Sequence, residues 1–74
     1  MFNRKEFGLR IRELRVNQNL NQDELGEAVG LSKQAISAIE TGYRSTSIEV
    51  LYSLSVFFNV SSDCLLGLKT TADK

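Results

Sequence analysis

Residues 21–42 read NQDELGEAVGLSKQAISAIETG, two short segments separated by a glycine. Within each segment the apolar residues are spaced three or four apart, which predicts one apolar helical face per segment. These apolar residues are Leu25, Val29, Ile36 and Ile39. Gly30 between them suits the left-handed conformation that ends a helix. Two short helices joined this closely must cross at a steep angle, so the stretch predicts a helix-turn-helix at residues 21–41.

The helix-turn-helix requires a small residue where its two helices approach each other. Gly26 lies inside the first of these helices, although an interior glycine costs about 1 kcal/mol relative to alanine. Polar and small residues occupy the side of the second helix that faces away from the apolar pair. They are Ser32, Lys33, Gln34, Ser37, Ala38 and Thr41.

The remaining sequence predicts three further helices and no strand, since proline is absent and no sustained alternation of apolar and polar residues is present. Polar residues that favour helix N-caps precede each apolar segment, with Asn3, Ser47 and Ser61 or Ser62 joining Asn21 and Ser32. On the fourth helix the predicted core stripe is Ile48, Leu51, Leu54 and Phe58. The prediction is an all-α single domain over residues 1–68, followed by a flexible tail at residues 69–74.

Composition excludes several classes of protein. The 74 residues fit one domain, and nine basic residues balance nine acidic ones. Without histidine and with the single Cys64, the chain has no disulfide framework and no structural zinc site, so we expect no metal and no cofactor. No apolar run is long enough to span a membrane and no secretory signal is visible. A cytoplasmic protein is therefore expected.

The combined spacing resembles the helix-turn-helix of the phage repressor and Cro family, and the resemblance covers residues 9–66. The matching features are Gln22, Gly26, Gly30, Leu31, Ile36, Ile39 and the Glu40-Thr41-Gly42 ending, with residues 47–51 and 61–66 matching the family's last two helices. The resemblance implies a five-helix lambda-repressor-like fold that binds double-stranded DNA.

The resemblance also implies roles for individual side chains. The third helix would enter the major groove, with Lys33, Gln34 and Ser37 against the base edges. Gln34 suits the N6/N7 edge of adenine and Lys33 suits the O6/N7 acceptors of guanine. The predicted contacts to the DNA backbone are Asn21, Gln22, Ser32, Tyr43 and Arg44. Arg15 and Glu40 would form a structural pair within the core.

Three departures from the family pattern bear on binding. Thr46 stands where the loop before the fourth helix usually has a proline, and Ala38 shortens the reading face. The chain is also neutral, although residues 1–20 carry five basic and two acidic residues, an excess of three positive charges. Few cations are available for phosphates, so useful binding requires two copies on a two-fold site.

The predicted homodimer would form through the fourth and fifth helices and the C-terminal tail. Four apolar residues lie outside the predicted core stripe there and favour an interface: Tyr52, Val56, Phe57 and Leu68. The alternative is that Phe57 packs beneath the first helix and Tyr52 lies flat on the surface.

The leading hypothesis is a sequence-specific DNA-binding regulator, either a small repressor or a controller of its own operon. The alternative is a protein-interaction module, such as an antitoxin or adaptor, that uses the apolar surface of the fourth helix. An enzyme is not expected, because no histidine, metal-ligand set or glycine-rich phosphate loop is present. No ligand-sensing segment is visible, so no small-molecule ligand is expected either.

Overall fold

The computed structural model describes residues 2–68, and within that range it contains five helices and no strand. The predicted tail at residues 69–74 lies outside the described residues. The helices are α1 (Arg4–Asn17), α2 (Gln22–Val29), α3 (Lys33–Glu40), α4 (Ile48–Phe58) and α5 (Ser62–Leu66). The predicted five-helix, all-α fold is confirmed.

Each helix begins immediately after a polar residue whose side chain accepts a hydrogen bond from the first turn. In α1, Asn3 Oδ1 accepts from the amides of Lys5 and Glu6 at 2.9 and 3.0 Å. Such a cap satisfies amides that have no partner inside the helix and contributes about 1 kcal/mol. The other four caps are Asn21, Ser32, Ser47 and Ser61.

The core lies at the centre of the five helices and receives side chains from all of them. Burial of each such side chain contributes about 1.5–3 kcal/mol. The buried apolar residues are Phe7, Ile11, Leu25, Val29, Ile36, Ile39, Leu54, Phe58 and Leu65.

Two glycines allow the backbone of another segment to approach their helix closely. A Cβ on Gly8 would lie 2.6 Å from the carbonyl oxygen of Glu40, so α1 crosses the end of α3 with no room for a side chain. A Cβ on Gly26 would overlap the carbonyl oxygen of Leu31. Gly26 therefore approaches the turn that leads into α3 and not the helix itself, and a second close approach, between α1 and the end of α3, occurs at Gly8.

Ile48 is not a core residue, contrary to the predicted stripe of α4. It is the first residue of the helix and is 82% exposed. The first turn of α4 extends past the core, and packing against the core begins at Val50 and Leu51. Ile48 instead shares the outer face with Tyr52 and Val56, because these residues are spaced four apart.

Candidate nucleic-acid interface

The turn between α2 and α3 depends on the backbone conformation of Gly30. This residue has φ 77° and ψ 31°, and its N–H donates to the carbonyl of Gly26. No atom lies within 4 Å of a Cβ built on Gly30, so the left-handed backbone and not crowding accounts for the glycine. The Leu31 amide donates to the same Gly26 carbonyl at 2.8 Å. These bonds end α2 and fix the direction in which α3 begins.

The N-terminal half of α3 presents polar side chains to solvent. Lys33 and Gln34 are exposed and Ser37 is half-buried, whereas Ile36 and Ile39 on the opposite side are buried. The structure therefore places the three predicted base-reading residues on one accessible face. A glutamine amide can donate and accept at once, and a lysine ammonium donates only.

Ser32 caps α3 and keeps one donor available. Its Oγ accepts from the Ala35 amide at 3.1 Å, which leaves the hydroxyl hydrogen free to donate. Ser32 therefore has a structural role in the free protein. A contact to a phosphate oxygen would use the hydrogen that the cap does not require.

The N-terminus of α2 combines a closed capping box with two available amides. The Asn21 amide donates to Glu24 Oε1, and the Glu24 amide donates to Asn21 Oδ1, both at 2.8 Å. Within residues 2–68, the amides of Gln22 and Asp23 have no acceptor. Unpaired first-turn amides and the helix dipole favour an anion at this position.

Three helices meet at the carboxylate of Glu40. Arg15 of α1 donates from Nε to Glu40 Oε2 at 2.6 Å and from Nη2 to Oε1 at 3.0 Å, and its Nη1 donates to the Leu20 carbonyl at 2.8 Å. Gln22 of α2 donates from Nε2 to Glu40 Oε1 at 3.2 Å. The predicted backbone-contact residue Gln22 is thus oriented by the carboxylate at the end of α3, and one of its amide hydrogens remains free.

The loop after α3 presents Tyr43 and Arg44. Both side chains are exposed, and the amides of both residues donate to the Ala38 carbonyl, at 2.9 and 3.3 Å. Gly42, which lies between the end of α3 and Tyr43, has φ 81°, and a Cβ there would lie 2.8 Å from the Cα of Lys5. The loop is therefore attached to the end of α3 on one side and to the start of α1 on the other.

The outer face of α4 is apolar and exposed. The predicted dimer residues Tyr52 and Val56 are exposed on this face together with Ile48. Leu68 is exposed as well, but it lines a cleft with Phe2 and Arg10 beside α1. Phe57 is 37% exposed, and the edge of its ring contacts Phe58 with 5.1 Å between centroids. Phe57 is thus an exposed residue whose ring also contacts a core aromatic.

Sequence reasoning did not anticipate two contacts at this interface. The bond from Gln22 to Glu40 joins residues 18 apart in the chain, and no local pattern indicates it. The packing of Gly42 on Lys5 likewise depends on the crossing of α1 and α3. Gly8 was the available signal, since it lies inside α1, where alanine would be about 1 kcal/mol more favourable. Gly42 gave none, because its left-handed backbone already accounts for a glycine there.

Two further features are absent from the described residues. No helix within residues 2–68 has both the length and the apolar character needed to cross a bilayer. The same part of the chain contains no group of three or more potential metal-ligating residues.

A model of the helix-turn-helix family matches residues 11–63 of the chain. The chain is 39% identical over 62 residues to the HTH-type transcriptional activator BcrR of Enterococcus faecalis, which is 84% of this chain and 30% of the relative. It is 37% identical over 54 residues to the cryptic phage CTXphi transcriptional repressor RstR of Vibrio cholerae, which is 73% of this chain and 49% of the relative. The chain thus spans less than half the length of either relative.

Solved structures show the same fold. The P22 c2 repressor in complex with a synthetic operator has a TM-score of 0.78 and 38% identity, and the match covers 81% of this chain and 91% of that one. The restriction-modification controller protein C.AhdI of Aeromonas hydrophila has a TM-score of 0.76 and 30% identity, and this match covers 82% and 92% of the two chains.

Proposed function

Because the chain belongs to the helix-turn-helix family of phage repressors and transcriptional regulators, we propose that it regulates transcription by binding a specific sequence of double-stranded DNA. The observation that carries the proposal is the exposed N-terminal half of α3, presented by the turn at Gly30. The similarity to a repressor whose structure contains its operator supports the same conclusion.

In the proposed complex α3 lies in the major groove. Gln34 donates to and accepts from the N6/N7 edge of an adenine, and Lys33 donates to guanine O6 or N7. Ser37 lies one turn further along α3 and is half-buried, so it reaches a base only where the groove comes close. The neighbouring Ala38 offers a methyl group to a thymine methyl.

Phosphates on either side of the groove are bound by two segments. At the first, the amides at the start of α2 and the side chains of Asn21 and Gln22 donate to phosphate oxygens, and the Ser32 hydroxyl does so at the start of α3. At the second, Tyr43 and Arg44 donate from the loop after α3. These contacts fix the register of the protein on the duplex and are independent of base sequence.

The proposed binding species is a homodimer on a two-fold site. The exposed stripe of Ile48, Tyr52 and Val56 on α4 supports an interface there, and the exposed Leu68 after α5 is proposed to belong to it. A two-fold dimer would place its recognition helices about 34 Å apart, one turn of DNA. The protein would act without catalysis, cofactor or small-molecule ligand, in the compartment that holds the DNA, which in bacteria and archaea is the cytoplasm.

The test is selection of binding sites from random duplexes, followed by titration of a selected duplex and a scrambled one. We expect a two-fold sequence to be enriched and the scrambled duplex to bind at least about 10³-fold more weakly. Enrichment of no sequence, together with equal affinity for both duplexes at low salt, would rule out sequence-specific regulation.

The exposed apolar face of α4 also favours a second candidate, a helix-turn-helix module that binds another protein. Salt dependence separates the two functions, because phosphate contacts weaken steeply with salt and apolar contacts do not. A complex with a co-purifying protein that is insensitive to salt, in the absence of selective duplex binding, would favour the module.

A further inference from the structure

A shallow cleft of about 350 Å³ separates α1 from the adjoining ends of α2 and α3. Lys5, Leu9 and Arg12 form its α1 side, because their spacing of four and three residues places them on one flank of that helix. Gln22 from α2 and Glu40 and Thr41 from the end of α3 complete the lining. None of the three α1 residues belongs to the predicted DNA contacts.

The charge of the cleft is positive although the chain is neutral. Within residues 2–68 the ion pairs are those of Arg10 with Glu6 and of Arg15 with Glu40. Lys5 and Arg12 therefore have no carboxylate partner in the described part of the chain. Glu40, the acidic residue of the lining, is 3% exposed and its oxygens accept hydrogen bonds from inside the domain. The two cations are thus available to an anionic ligand.

The position of the cleft relative to the proposed phosphate contacts bears on which anion it binds. Gln22, a proposed phosphate contact, belongs to the lining itself and begins α2. At the other end, Gly42 packs on the backbone of Lys5 and is followed directly by Tyr43 and Arg44. The cleft therefore lies between the two segments that are proposed to bind phosphates: Gln22 of the first lines it, and Lys5 on its α1 side contacts Gly42 before the second.

We propose that Lys5 and Arg12 bind phosphates of the DNA backbone, so that the contact with the duplex extends from the helix-turn-helix onto α1. The inference rests on the proposed function and deepens it. Each phosphate neutralised by a cation releases condensed counterions, which contributes affinity that is independent of base sequence. In a chain with no net charge, two such contacts form a large part of the attraction to DNA.

The experiment measures affinity for a selected and a scrambled duplex between about 50 and 200 mM salt. The variants are Lys5→Gln, Arg12→Gln and the double substitution, each checked for helix content and thermal unfolding by circular dichroism. We expect the magnitude of the negative slope of log K against log salt to decrease by about 0.9 for each cation removed. Affinity should fall roughly three- to tenfold per substitution. The preference for the selected duplex should stay unchanged, and Lys5→Arg should retain the slope.

The matched control is Arg10→Gln, which removes one charge from the same helix. Arg10 lies on the other flank of α1, beside Glu6 and a separate cleft that Phe2, Leu66 and Leu68 also line. Its substitution should leave the slope unchanged. Two outcomes would overturn the inference and leave the proposed function standing. In the first, the double variant still selects its sequence and its salt dependence equals that of the wild type. In the second, Arg10→Gln loses as much salt dependence as Lys5→Gln or Arg12→Gln. A wild-type chain that binds no duplex selectively would overturn both.

Discussion

Arg15 and Glu40 are 25 residues apart in the chain, yet they form a two-bond ion pair across the junction of α1 and α3. The two side chains are 11% and 3% exposed. The hydrogen bonding that Arg15 donates to Glu40 raises the pKa of Arg15, and this effect exceeds the lowering that burial causes. The guanidinium therefore remains charged at neutral pH. The stability linked to its raised pKa is fully present there and is lost only as pH rises through that raised pKa.

Loss of Arg15 should destabilise the domain strongly. Arg15→Met leaves the buried carboxylate of Glu40 without its partner, so we expect the free energy of unfolding to fall by about 3–5 kcal/mol. Urea denaturation at low temperature, followed by circular dichroism, measures the change. The double variant Arg15→Met/Glu40→Leu should recover most of the loss, because no charge then remains buried. Equal instability of the single and double variants would contradict this reasoning.

Gly8 should tolerate no side chain. Gly8→Ala introduces a methyl group against the carbonyl oxygens of Ile39 and Glu40, and we expect a loss of about 1–3 kcal/mol from overpacking. Gly30→Ala is the matched control, since its site is spacious and only the left-handed backbone opposes a side chain, at about 1–2 kcal/mol.

Asparagine distinguishes the two glycines by thermal unfolding. It tolerates the left-handed conformation, so Gly30→Asn should be more stable than Gly30→Ala. At Gly8 the larger side chain should be worse than alanine. The reverse order at either position would refute the stated cause.

Gln34 should determine one position of the DNA sequence. With Gln34→Ala we expect a loss of about 1–3 kcal/mol of discrimination at a single base pair and little change elsewhere. Titration of a panel of duplexes with single-base changes measures it. Arg44→Ala is the comparison, because a phosphate contact should weaken all duplexes alike and reduce the salt slope by about 1. If Gln34→Ala bound the whole panel as the wild type does, α3 would be assigned the wrong reading residue.

Val56 should lie in the dimer interface. Val56→Asp places a charge in the exposed apolar stripe of α4, and we expect it to convert a dimer into a monomer in sedimentation runs at micromolar concentration without DNA. Val16→Asp is the control, since Val16 is an exposed valine on α1 outside that stripe. A wild-type chain that sediments only as a monomer would argue against the interface on α4.

Local features of the sequence predicted the helices well. Polar caps such as Asn21 and Ser32 act within three residues, and the turn at Gly30 depends on the conformation of one residue. These signals can be read without knowledge of the rest of the chain. The same holds for the exposure of Lys33 and Gln34, which follows from the apolar spacing of α3 alone.

Contacts between distant segments were harder to predict. The need for Gly8 arises only where α1 crosses the end of α3, and the bond from Gln22 to Glu40 arises only when three helices meet. Ile48 followed the apolar spacing of α4 and was still misassigned, because spacing does not reveal where a helix extends past the core. The cleft beside Lys5 and Arg12 belongs to the same class of feature.

The division of α3 into a buried side and an accessible side determines which of its positions tolerate substitution. Ile36, Ile39 and Glu40 are buried and hold α3 in place, whereas the exposed Lys33 and Gln34 can be exchanged without disturbing the packing. If these two residues read bases as proposed, their substitution would change the DNA sequence that the domain prefers at little cost in stability.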